Sequence, residues 1–204
     1  MANLIVNGGK PLSGTITPAG NKNSVLPILC ATLLTDDEVT LRNVPDLTDV
    51  NKLVELLEQI GSKVLWDKKT FVLKINNSQI AREKLAEELP IGMRGSVLMF
   101  APLLNRIKHV HLKAEIGGCA LGIRELDPHL EVLEALGTKI MTNDEDITMD
   151  IEGRFKGCKI WQDYMSVTTT ENFIMGASVA NGESEMNNAA SEPHVQDLCN
   201  FLIS

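Results

Sequence analysis

The chain is expected to fold as an α/β protein built from a repeated helix–strand–helix–hairpin unit, with the third unit incomplete. Three observations predict this. An apolar, helix-like run followed by a short alternating segment occurs three times, at Ala31-Thr32-Leu33-Leu34 with 38–43, Ala101-Pro102-Leu103-Leu104 with 108–113, and Ala177-Ser178-Val179-Ala180 with 183–188. A second helix then ends at Gly61 in the first unit and at Gly137 in the second, 76 positions apart (137 − 61), in the matched strings Leu-Glu-Gln-Ile-Gly and Leu-Glu-Ala-Leu-Gly. After each glycine come two short β-patterned runs around a polar turn.

The elements follow in order. In the first unit a helix over Asp49 to Ile60 stops at Gly61, because glycine accepts the left-handed conformation just past a helix end. Ser62–Trp66 and Phe71–Ile75 then form a hairpin across Asp67-Lys68-Lys69. The second unit repeats this with a helix over Asp127 to Leu136 and a hairpin of Thr138–Met141 with Ile147–Ile151. The third has helices from about Thr170 to Ala180 and from Glu192 onward, and the sequence stops at Ser204 before a glycine or hairpin. The expected boundaries are 1–20 for N-terminal strands and about 21–76, 90–152 and 157–204 for the three units. An apolar patch at Phe201 to Ile203 is expected to be exposed in a monomer.

Composition narrows the class. The 204 residues carry a net charge of −8 and are 44% hydrophobic and 23% charged, which suits a packed core and argues against a protein that grips nucleic acid by charge. Aromatics are only 4%, so the core must be mostly aliphatic. No run reaches the ~18 apolar residues of a membrane span, and residues 1–8 have no basic start of a secretory signal. Cys30, Cys119, Cys158 and Cys199 are widely spaced, without CxxC or Cys/His ligand spacing. A disulfide framework or metal site is not expected, and a reducing cytoplasm is.

Three places concentrate unusual residues. At the first helix start, Gly20-Asn21-Lys22-Asn23-Ser24, Asn21 suits the N-cap position, and Lys22 and Asn23 sit where backbone N–H groups and the helix dipole favour an anion. A capped helix with a solvated lysine accounts for the same residues. The second place runs from Glu115 to His129. Gly117, Gly118 and Gly122 make a mobile loop around Cys119, and Arg124 is placed to lower the thiol pKa. Asp127 as N-cap with Pro128 at the first helical position explains that end structurally, with His129 an exposed first-turn residue. Cys30, Cys158 and Cys199 lie in apolar patterns and are expected in the core. The third place is 163–172, where Ser and Thr hydroxyls suit an oxygen-rich ligand or ordinary capping. Arg94 stands at the corresponding helix start of the second unit. A pseudo-threefold packing of the units would bring these starts to one cleft.

Gly20-Asn21-Lys22-Asn23 with the following Leu-Pro-Ile-Leu, Asn43-Val44-Pro45, Met93-Arg94, Gly117-Gly118-Cys119 with Arg124, and Glu192-Pro193 resemble the N-terminal half of the UDP-N-acetylglucosamine 1-carboxyvinyltransferases, a branch of the enolpyruvyl transferase family. The resemblance implies an inside-out α/β barrel of repeated units, helices inside and sheets outside, with residues 1–20 belonging to a second domain. It implies transfer of the enolpyruvyl group from phosphoenolpyruvate to the 3′-hydroxyl of UDP-N-acetylglucosamine with release of phosphate. That is the first committed step of peptidoglycan synthesis, tied to cell shape and division. By resemblance Cys119 is the acid and the residue fosfomycin alkylates, and Lys22 and Asn23 bind phosphoenolpyruvate. Arg94, Arg124, Glu125, Leu126, Asp127, Pro128, His129, Tyr164, Met165, Ser166 and Val167 hold the UDP-sugar.

No cofactor or metal is implied, and the partners are the two substrates with a C-terminal domain or a second copy. Glu125, Ile91, Tyr164 and Thr168 depart from the family's usual residues in ways that weaken anion binding or reshape a loop. Two other readings are a non-catalytic sugar-nucleotide-binding or partner-binding half, and an enzyme like 3-phosphoshikimate 1-carboxyvinyltransferase. The Gly-Gly-Cys loop speaks against the latter.

Overall fold

A computed structural model describes residues 3–80, 94–113, 126–143 and 146–204. The first unit contains α1 (Lys22–Ala31), β1 (Val39–Leu41), α2 (Thr48–Gln59), β2 (Lys63–Asp67) and β3 (Val72–Asn76). The second contains a 3-10 helix (Arg94–Met99) running into α3 (Phe100–Ile107), then β4 (His109–Lys113), α4 (Asp127–Ala135), β5 (Lys139–Thr142) and β6 (Asp146–Asp150). The third contains β7 (Lys159–Trp161), α5 (Val167–Ser178), β8 (Glu185–Asn187) and α6 (Pro193–Ile203).

The first two units share one topology. Each hairpin's second strand is central and antiparallel to both neighbours, in the orders β1-β3-β2 and β4-β6-β5. The glycine stops act as the sequence predicts. Gly61 has φ 110° and Gly137 φ 99°. In each case the next N–H reaches back into the last turn, Ser62 to the Leu57 carbonyl at 2.9 Å and Thr138 to that of Leu133 at 3.0 Å. The third unit differs, since β7 and β8 pair in parallel across the α5 crossover. Gly157 makes that pairing possible, because a Cβ there would lie 2.3 Å from the Glu183 carbonyl oxygen.

The helices pack on one another: α1 against α2 and α6, and α5 against α3, α4 and α6. The sheets turn one face to this layer, burying Leu73 and Ile75, Val110 and Leu112, Ile147 and Met149. Their other face meets solvent, with Leu65 and Met141 exposed. The core is aliphatic apart from a few rings such as Phe100 and Phe155. Arg106 of α3 ties the first two units together, donating to the carbonyls of Leu33, Thr35 and Asn77 and pairing with Asp36 at 2.7 Å.

Several expectations change. Residues 3–20 form no strand: Leu4, Ile5, Val6, Leu12 and Ile16 are exposed, and an extended segment needs a neighbouring edge to become a strand. The helix over 127–135 takes Leu126, not Asp127, as its N-cap, because Leu126 already has helical angles and its carbonyl receives the N–H of His129 and Leu130. Asp127 is therefore a first-turn acid aligned with the helix dipole. Of the cysteines expected in the core, Cys30 is fully buried while Cys158 and Cys199 are only partly so. At the C-terminal helix Ile203 is exposed, whereas Phe201 and Leu202 pack partly against the core.

Candidate functional site

The start of α1 is built as the sequence predicts. Asn21 lies in the extended region, and its side-chain oxygen accepts from the N–H of Asn23 at 2.7 Å and of Ser24 at 3.2 Å. This cap satisfies N–H groups that a bound anion would otherwise take. Positive charge at this start therefore rests on Lys22, whose Nζ sits 2.9 Å from Asp49 Oδ2 at the start of α2, with both side chains nearly half exposed. Ser24 Oγ donates to Asp197 Oδ2 of α6 at 2.6 Å. Asp49 and Asp197 have no distinguishing sequence context, so only the fold shows that they face α1.

The start of α5 is different in kind. Ser166 caps it by accepting from Thr169 N, and four consecutive polar residues, Thr169, Thr170, Glu171 and Asn172, are then buried. Thr169 Oγ1 turns back to the capping Ser166 Oγ at 2.8 Å, whereas Thr170 and Asn172 reach other elements. Thr170 Oγ1 accepts from Ala190 N on the segment leading into α6. Asn172 Oδ1 accepts from Ala101 N, and its Nδ2 donates to the Val97 carbonyl at 2.9 Å and to His129 Nδ1 at 3.0 Å. With both amide hydrogens so committed, His129 Nδ1 is the acceptor, and Nε2 donates to Thr168 Oγ1 at 3.2 Å. His129 is thus a buried neutral imidazole joining α4 to α5, not an exposed first-turn residue.

Between the start of α4 and the segment leading into α5 lies a recess of about 230 Å³, lined by Asp127, Pro128 and Glu131 on one side and Trp161, Gln162, Asp163 and Tyr164 on the other. It falls below the ~300–1,000 Å³ of a drug-sized site and is sized for one ring of a ligand. Trp161 and Tyr164 stand exposed at its edge. Gln162 is buried, with its Oε1 receiving Ser166 N at 3.5 Å and its Nε2 without a hydrogen-bond partner. Asp127, Pro128 and Tyr164 are brought together here, with Ser166 and Val167 at the adjoining cap. Leu126 is half-buried and Met165 exposed. Trp161, Gln162 and Glu131 were not singled out in the sequence, although their nearness to Tyr164 and to the start of α4 was visible there. Cys119, Arg124 and Glu125, with Ile91 and the side chain of Arg94, lie outside the described residues. No cluster of three or more metal-binding side chains occurs among the described residues.

The family profile of EPSP synthase (3-phosphoshikimate 1-carboxyvinyltransferase) matches residues 6–204. The chain belongs to this family. Within it, the sequence is 44% identical over 205 aligned residues to the UDP-N-acetylglucosamine 1-carboxyvinyltransferase of Coxiella burnetii, covering 99% of this chain and 46% of the relative. The enzyme of the same name from Magnetococcus marinus is 43% identical, over 100% of this chain and 48% of its own length. The chain thus spans about half the length of these relatives.

Among solved structures, the enolpyruvyl transferase NikO from Streptomyces tendae superimposes with a TM-score of 0.79 at 21% identity, over 96% of this chain and 45% of that one. EPSP synthase from Acinetobacter baumannii gives 0.68 at 13% identity, over 90% and 42%. These likenesses show that the three units form an α/β fold of the enolpyruvyl transferase type. No described helix is long and apolar enough to cross a membrane.

Proposed function

We propose that this chain is the N-terminal half of a transferase that moves the enolpyruvyl group of phosphoenolpyruvate to the 3′-hydroxyl of UDP-N-acetylglucosamine and releases phosphate. The step would open peptidoglycan synthesis in the cytoplasm. The observation that carries the reading is 44% identity spread over 99% of the chain to enzymes named for this reaction, against 13% to EPSP synthase of known structure. Packed helices flanked by one-faced sheets support an inside-out barrel, with residues 1–20 given to a second domain.

The proposed roles follow from the chemistry. Protonation of the phosphoenolpyruvate methylene carbon needs an acid, assigned to Cys119. Lys22 and Asn23 take the phosphate end, so Lys22 must exchange Asp49 for substrate. The recess between α4 and α5 takes part of the UDP-sugar, with Asp127, Pro128 and Tyr164 in its wall and Ser166 and Val167 beside it. Arg94, Arg124, Glu125, Leu126 and Met165 are assigned to the same ligand, and His129 acts from beneath it by fixing α4 to α5.

The test is phosphate release from phosphoenolpyruvate by the chain, alone and mixed with a separately produced C-terminal domain of a relative, with and without UDP-N-acetylglucosamine. Release that requires the sugar nucleotide and is abolished by Cys119→Ala is the expected result. UDP-N-acetylglucosamine binding without turnover in any mixture would replace the reading with a non-catalytic half, and turnover only with shikimate 3-phosphate would move it to the sister branch.

A further inference from the structure

Glu171 has no part in the proposed chemistry, yet it is the most anomalous side chain in the described fold. It lies on α5 with 2% of its surface exposed, and its Oε1 is buried without a hydrogen-bond partner. The charged group facing it is another acid, Glu192, the N-cap residue of α6. From α1 it faces the Cys30 thiol, which is itself fully buried. On the α4 side lies His129, whose Nδ1 accepts from Asn172, one residue along α5. Among the described residues no cation is paired with Glu171.

We propose that the Glu171–Glu192 juxtaposition is a proton-controlled latch on α6: with a proton on Glu171, α6 stays docked on α1 and α5, and without it the start of α6 is driven off.

The geometry gives the latch its leverage. The start of α6 is not secured by a side-chain cap, since Glu192 makes no capping hydrogen bond. Docking rests on buried Val195 and Leu198, on Ala190 N donating to Thr170 Oγ1 beside Glu171, and on Ser24 Oγ donating to Asp197. The last contact reaches the first turn of α1, so release of α6 is felt beside Lys22 and Asn23. Burial first, and the Glu192 charge second, raise the Glu171 carboxyl from 4.5 to about 8. The same burial, with the Glu171 charge, pushes the Cys30 thiol far up, so Cys30 stays neutral and does not compete for the proton.

The sign follows from linkage. The folded chain holds the proton where the unfolded chain has lost it, so this contribution is complete below about 4.5 and is lost progressively as pH rises to about 8. Within that window the undocked population rises by up to about tenfold per pH unit.

The latch is independent of the catalytic reading. It is tested on the unaltered chain by following the Glu171 carboxyl carbon by NMR across pH, and by hydrogen exchange of α6 amides at pH 6 and pH 8 after correction for intrinsic rates. A midpoint near 8, with α6 protection falling at least tenfold, is expected. Glu171→Gln keeps the shape and removes the charge, and should make α6 protection independent of pH over this range. Glu192→Gln should move the Glu171 midpoint downward. A Glu171 midpoint near 4.5, or the same pH response in Glu171→Gln as in the unaltered chain, overturns the latch. Should Glu171→Gln fail to fold, the Glu171 midpoint and its displacement in Glu192→Gln decide the matter.

Discussion

The starts of α1 and α5 occupy the same place in their repeats and are built in opposite ways. Asn21, Lys22, Asn23 and Ser24 stand near solvent, and their partners Asp49 and Asp197 are surface carboxylates that can be exchanged for a ligand. Thr169, Thr170, Glu171 and Asn172 are buried, and the partners of Thr170 and Asn172 are backbone groups and a histidine of neighbouring elements. Polar residues at equivalent positions therefore serve opposite ends. An exposed ion pair is worth under about 1 kcal/mol and can be remade, whereas an unpaired buried group costs about 1–3 kcal/mol. The first arrangement suits binding, and the second fixes how the helices sit.

The comparison breaks most readily at Asn172. Asn172→Leu strands the Val97 carbonyl, the Ala101 N–H and His129 Nδ1 together, and should cost about 4 kcal/mol in urea unfolding, summing penalties of the size given above for each group. Equality with a typical surface change would mean that the buried network is not a unit. Gly157→Ala forces a methyl against the Glu183 carbonyl and should cost about 2–3 kcal/mol, read as a lower thermal midpoint with β7–β8 exchange accelerated.

Asn21→Ala removes one cap from α1 and should lose about 1 kcal/mol by the same melt. Lys22→Met should change stability by less than about 1 kcal/mol while weakening phosphoenolpyruvate binding at least tenfold in titration calorimetry. A stability loss as large as that of Asn172→Leu would put α1 in the structural class and remove the contrast.

Much of the fold was legible in the residues. The repeat, both glycine stops, both hairpins and the Asn21 cap follow from local rules, because a left-handed glycine, a period-two strand and a capping side chain each depend on a few neighbouring positions. The parallel β7–β8 pair was not legible: Gly157 meets Glu183 across an intervening helix, and no local pattern records that approach. At the site, the positions of Lys22, Asn23, Asp127 and Tyr164 could be read from spacing and resemblance, but their partners could not.

By itself the sequence determined the repeated unit, an aliphatic core, and which polar residues gather at helix starts. Only the tertiary structure decided which of those residues meet solvent, since burial depends on how many elements surround a helix and not on the helix's own residues. That is why His129, expected at the surface, proves to be an interior link, and why Glu171, alone among the described acidic residues, is deprived of both water and a counter-charge.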